Sequence, residues 1–171
     1  KSIKEVGGDD KFEYYLRNLF SIDQKKMIGK GRRIYTFFKL NNKNLSKEQA
    51  HYYLNDISDC IKLFNHITNP IGNPYPDVDL NNVIIKIKQT NMDSSTPFLM
   101  AILKAIKNQS ISEDEAVKIL NGTLVLLVRR KVCELKTTKY DTFFPSVFNK
   151  IKDERDKVKA LQDCIRKEDL F

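Results

Sequence analysis

Glycine and proline are scarce in this chain, six and five of 171 residues. An all-β fold draws on both at its many turns, so their shortage argues against one. Tryptophan is absent, which decides nothing. Cysteine is thin as well: Cys60, Cys133 and Cys164 are odd in number and far apart. That excludes a disulfide framework and fits free core thiols in a reducing, cytoplasmic setting. No run approaches the ~20 apolar residues of a membrane span. The longest, Leu124 to Val128, is closed by Arg129 and Arg130, so no membrane partner is expected. Lys1 to Asp10 lacks the apolar stretch and small-residue cleavage site of a secretion signal. Beginning at Lys1 rather than Met, the chain reads as an internal fragment.

Residues that could carry catalysis are equally few. His51 and His66 stand fifteen apart on one expected helix, whereas two histidines chelate one ion from a helix at i and i+4. The cysteines form no C-x-x-C pair, so no zinc site is expected. Gly7-Gly8 and Gly29-Lys30-Gly31 complete neither a Walker nor a dinucleotide-binding pattern and read as turns. Pro76-Asp77 and Glu134-Leu135-Lys136 imitate the scattered acids and lysine of metal-dependent nucleases. One half lies in a proline-rich loop and the other at a helix end, so they are not expected to hold Mg²⁺ together. The expectation is therefore no catalytic residue, no metal and no cofactor.

What the chain does have is apolar residues at three and four spacings through most of its length, the period of amphipathic helices. With 41% hydrophobic residues, a chain this long can bury on the order of 70% of its unfolded surface. The fold expected is all-α, a multi-helix bundle of about seven to eight helices. Ser46 with Gln49, and Ser112 with Glu115, mark helix starts as capping boxes. Thr96 before Pro97 reads as an N-cap with proline at the first helical position. Pro145 must sit in a first turn or kink its helix. Leu124 to Val128, apolar on every side, predicts a central, surrounded helix. Three of the five prolines fall between residues 69 and 79, which suggests two small lobes: 1–70, a Pro-rich linker at 71–79, and 80–171.

Charge is distributed unevenly around a formal net of +8. From Gln24 to Lys43 the basic residues are Lys25, Lys26, Lys30, Arg32, Arg33, Lys39 and Lys43, with no acid among them. From Arg129 to Lys139 they are Arg129, Arg130, Lys131, Lys136 and Lys139 against Glu134 alone. The remainder is slightly acidic. Clustered Lys and Arg with Tyr35 and Tyr140 nearby suit phosphate-backbone contact. The candidate nucleic-acid-binding residues are Lys25, Lys26, Lys30, Arg32, Arg33, Arg129, Arg130 and Lys131. A solvated basic face explains the same counts. One arginine of the adjacent pair is open to a second role, turning inward to meet a carboxylate.

Four segments of the second half form a recognisable series: Thr96-Pro97-Phe98-Leu99-Met100-Ala101-Ile102-Leu103, Ile111-Ser112-Glu113-Asp114-Glu115, Leu126-Leu127-Val128-Arg129-Arg130-Lys131-Val132-Cys133, and Thr138 to Phe148. In the first half Lys11-Phe12-Glu13-Tyr14-Tyr15-Leu16-Arg17 and Arg33-Ile34-Tyr35-Thr36-Phe37-Phe38-Lys39 stand beside them. Together they resemble the helical region of GmrSD-type, modification-dependent restriction proteins. Such proteins carry a ParB or sulfiredoxin-like sensor domain that binds and hydrolyses nucleotide, and usually an HNH nuclease domain. The chain has neither the Asp-Gly-Gln-Gln-Arg type motif of the first nor the His and Asn pair of the second. The resemblance thus implies a non-catalytic connector in a phage-defence enzyme, with the parent's sensor and nuclease domains as partners and DNA contacted through the basic surfaces. The alternative is a protein-interaction scaffold that binds an acidic partner or another subunit.

Overall fold

The computed structural model describes residues 7–22, 24–136 and 138–168. Thr137, expected beside Thr138 in the link between two helices, lies outside the described residues, as does the stretch Lys1 to Val6. Eight α-helices follow one another, with no strand among the described residues: α1 Asp9–Ser21, α2 Arg32–Asn41, α3 Lys47–Thr68, α4 Val78–Gln89, α5 Thr96–Lys107, α6 Glu113–Val132, α7 Tyr140–Ile151 and α8 Lys157–Lys167. A 3-10 turn, Asp93–Ser95, leads into α5. None of these helices is long and apolar enough to cross a membrane.

The surrounded helix is α5, not α6. Its sequence, TPFLMAILKAIK, buries nine of twelve residues, and it packs against α1, α3, α6 and α7. The all-round apolar stretch of α6 was expected at the centre, yet Val125 and Val128 are 54% and 44% exposed. A run of adjacent apolar residues cannot say which side the core lies on. The side is set by Ala116, Ile119, Leu120, Thr123, Leu126, Leu127 and Arg130, the buried face of α6, whose main neighbours are α4 and α8. Buried residues on both sides of the Pro-rich segment belong to one continuous core, from Tyr15 and Phe64 to Phe144 and Ile165.

Polar detail fixes the register. On α5 the solvent-side residues Lys104 and Lys107 reach Asp56 and Asp59 of α3, each at 2.6 Å. These are two rungs, three residues apart on both helices, and they align α5 against α3. Burial pulls the Lys104 ammonium down, but the hydrogen bond to Asp56, with Cys60 and Tyr52 nearby, more than offsets it and leaves the group above its ordinary range. Tyr15 is fully buried and donates its hydroxyl to the Ile57 carbonyl, tying α1 to the same helix.

Helix ends follow the sequence in part. Ser46 and Gln49 make the full reciprocal box that starts α3, and Ser112 accepts from the Glu115 N–H at 3.1 Å. Thr96 does not cap α5: it is already helical, and the preceding 3-10 turn does the work of entry with Pro97 in the first turn. With glycine scarce, α5 and α6 close on Gln109 and Glu134 at φ 57° and 53°. At both, the next residue's N–H bonds back to the carbonyl five residues earlier, Ser110 to Ala105 and Leu135 to Arg130. That is the closing bond of a left-handed helix cap, in a conformation that usually selects glycine.

Candidate nucleic-acid interface

The first basic segment is built on backbone groups held by other elements. From Gln24 to Gly31 the chain runs without regular structure, yet four hydrogen bonds to side chains of α1 and to α7 hold it. Ser21 on α1 accepts the Ile28 N–H at 2.9 Å. Arg17, one turn earlier, donates from Nε to the Ile28 carbonyl at 2.7 Å. Glu13, a turn earlier again, accepts the Gly31 N–H at 2.9 Å, where φ is 64° and a side chain would be strained. The fourth bond comes from the far half of the chain, as the Met27 N–H donates to the Asp141 carbonyl at 2.7 Å. That carbonyl is available because Pro145, four residues on in α7, has no N–H to give it. The proline expected to sit in a first turn or kink its helix stands inside α7, and it frees an acceptor that docks the basic loop.

On this fixed backbone Lys25, Lys26, Lys30, Arg32 and Arg33 are all exposed. Arg33 lies down over Gly29, where a Cβ would collide with it. None of the five makes an ion pair among the described residues. Elsewhere cations do: Lys88 with Asp93, Lys104 with Asp56, Lys107 with Asp59, Lys150 with Glu168, Lys157 with Glu115 and Arg166 with Asp163. What sets the segment 24–33 apart is the absence of any acid among its residues and a backbone anchored by other elements.

The second segment is divided. Arg129 and Lys131 are exposed, while Arg130 is only 7% exposed and turns inward. It lies over the Tyr140 ring at 5.4 Å and donates to the Lys136 carbonyl, so it is withdrawn from any surface. The inward rotation expected of one arginine of the pair is thus made by Arg130, and its contacts include an aromatic face and a backbone oxygen. Tyr140, expected beside the cations at a phosphate-binding surface, is fully buried, and burial pushes its phenol up to about 12. Tyr35 is 62% exposed and stays at the surface. Lys131 donates to the Thr90 carbonyl at 3.3 Å. Both segments border the first turn of α7, one through Met27 and Asp141, the other through Arg130 and Tyr140.

Other concavities are less selective. A cleft of about 620 Å³ between α7 and α8 is lined by Lys150, Arg155, Lys159 and Lys167 and equally by Glu154, Asp156, Asp163 and Glu168, so it favours neither sign of charge. An apolar groove of about 460 Å³ among α1, α2 and α3 is lined by Phe12, Leu16, Phe20, Tyr35, Phe38 and Leu54. His66 is occupied in structure: its Nδ1 pairs with the Asn73 carbonyl at 2.8 Å and its ring meets Tyr75 edge-on, pinning the Pro-rich segment to α3. No cluster of three or more His, Cys, Asp or Glu able to hold a metal occurs among the described residues.

In comparison with known proteins, no family, curated protein or solved structure matches this chain.

Proposed function

We propose that this chain is a non-catalytic helical module that offers a basic surface to the phosphate backbone of duplex DNA. In the same reading it is the connector between the sensor and nuclease domains of a GmrSD-like restriction protein. The connector role rests on the resemblance of the apolar and Arg-Arg segments. One structural observation supports the DNA contact. The loop from 24 to 33 has its backbone fixed by Ser21, Arg17, Glu13 and Asp141, while its five cations carry no ion pair among the described residues. A merely solvated charge run needs no such anchoring, whereas binding a polyanion at low entropic cost does.

The test is duplex binding by fluorescence anisotropy across a salt series, with unmodified and base-modified DNA. Log affinity should fall linearly with log salt, and Arg32→Ala combined with Arg33→Ala should reduce the slope by about 1.8, at ~0.9 for each phosphate that is no longer neutralised. Both side chains are exposed, so the double variant should keep its helical circular dichroism. Absence of salt-sensitive binding to any duplex would overturn the DNA reading. The connector role is tested by sequencing the gene on both sides of this segment. Flanks encoding neither a nucleotide-binding sensor nor a nuclease would overturn it.

A further inference from the structure

The groove among α1, α2 and α3 opens directly beside the anchored basic loop, because Gly31 of that loop is one of its lining residues. Lys30 and Arg32 are therefore one Cα step, about 3.8 Å, from its edge. Its volume of about 460 Å³ is that of a small-ligand site. Its aromatic lining is backed by more rings: Phe38 lies 6.0 Å from the buried ring of Phe20 and 5.9 Å from Tyr53. Tyr35 of α2 and Leu54 of α3 also line it and are 62% and 58% exposed. In a chain of net charge +8, the charged side chains of this lining are two acids, Asp9 and Glu13, one turn apart on α1. Glu13 gives one oxygen, Oε1, to the Gly31 N–H.

Three chemistries meet here, and an occupant has to satisfy all of them. Flat apolar surface suits a ring that stacks. Ionised carboxylates only accept hydrogen bonds, so the ring needs N–H donors on its edge. The adjoining cations Lys30 and Arg32 suit a phosphate attached to it. A nucleobase with an exocyclic amino group, such as adenine or cytosine, meets the three together when it stands unpaired on a strand. Acidic side chains accept from the cytosine amino group in direct readout, and aromatic side chains beside a basic track hold single strands by stacking. An apolar helix or an acyl chain would use the rings and leave both carboxylates without a donor. A second copy would bring its own charge of +8 against this loop.

We propose that this groove receives an unpaired, amino-bearing base of a DNA strand whose phosphates lie on residues 24–33. The inference rests on the DNA reading above and adds where a base of the bound strand goes. Extruding a paired base costs energy that a bulged base has already spent, so the probes are one duplex fully paired and the same duplex with a single bulged adenine, cytosine or thymine. In anisotropy, the adenine and cytosine bulges should bind about tenfold tighter than the paired duplex, and thymine should gain less. Tyr35→Ala should remove most of that gain while leaving the paired duplex and its salt slope unchanged, and Tyr35→Phe should retain it. Asp9→Asn combined with Glu13→Gln supplies amides that donate as well as accept, and should bring thymine level with the others. A bulged fluorescent aminopurine should be quenched by the native chain and not by Tyr35→Ala. All three side chains are exposed, so each variant should keep its helical circular dichroism. Salt-sensitive duplex binding with no advantage for any bulge would overturn the inference and leave the DNA reading standing, whereas absence of duplex binding would remove both. An equal gain for thymine in the native chain would overturn the inference as well. So would dimerisation in sedimentation that Tyr35→Ala abolishes, since the groove would then belong to a second copy.

Discussion

Replacing Tyr140 with phenylalanine should stabilise this protein, by an amount that grows in alkali. The ring is fully buried in the first turn of α7, edge-on to Phe144 at 5.0 Å and beneath the Arg130 guanidinium at 5.4 Å. Its hydroxyl is buried and has no hydrogen-bond partner among the described residues. A buried hydroxyl in that position costs about 1–3 kcal/mol in protein mutational data, and phenylalanine keeps both the ring contacts and the face that Arg130 covers. The gain at neutral pH should be about 1 kcal/mol. Burial raises the phenol, Arg130 lowers it, and the net effect puts it at about 12 against an ordinary value of 10.0. Because the folded value is the higher one, the tyrosine's contribution is intact below pH 10 and is lost as pH rises through 12. Each unit is worth about 1.4 kcal/mol, so roughly 1.4 kcal/mol has gone at pH 11 and about twice that above 12. Phenylalanine is exempt, and the difference between the two proteins in urea unfolding should therefore widen by about 1.4 kcal/mol from pH 7 to pH 11. Taking the difference removes the titration of shared lysines and of Tyr15. A variant that loses 1 kcal/mol or more at pH 7 would mean that the hydroxyl is bonded. A gap that stays flat to pH 11 would refute the desolvation argument.

Three further outcomes are expected. Phe98→Ala, on the surrounded helix and 0% exposed, should cost about 3–5 kcal/mol, whereas Val132→Gln on the outer face should stay within about 0.5 kcal/mol in the same unfolding assay. Ser46→Ala removes one half of the reciprocal cap on α3 and should cost about 1 kcal/mol, with amide exchange rising at Gln49. In thiol labelling, exposed Cys133 should react first and half-buried Cys164 later. Cys60, 2% exposed and with its thiol raised by burial, should react only on unfolding; equal rates for all three would contradict the packing of α3.

The helices were legible because an amphipathic stripe repeats every three to four residues and because Ser46 and Ser112 spell out their caps. The choice of central helix was not. Thr96 to Lys107 and Leu124 to Val128 are both apolar, and composition cannot distinguish a face that meets the core from one that awaits a partner. Val125 and Val128 do not meet the core; they face outward. The closures at Gln109 and Glu134 were hidden for a related reason: the left-handed position is read from glycine, and here it is filled by other residues. At the candidate interface the cations themselves were visible. What holds them was not, because Glu13 and Ser21 act on backbone N–H groups and Asp141 through its carbonyl, and backbone groups have no residue-type signature. Pro145 was the one available hint, since a proline within a helix always leaves the carbonyl four residues earlier without its usual donor.

The triplet Arg129-Arg130-Lys131 shows why net charge is a poor guide to binding. Successive helical residues turn through about 100°, so one of three adjacent cations faces the core while the others stay exposed. The segment 24–33 keeps all five of its cations exposed, and this predicts a steep response to salt. Five phosphate contacts from Lys25, Lys26, Lys30, Arg32 and Arg33 would give a log–log slope of about −4.5, roughly a thousandfold loss of duplex affinity from 0.1 to 0.5 M salt. If the duplex survives 0.5 M salt, its contact is not the phosphate contact argued for residues 24–33.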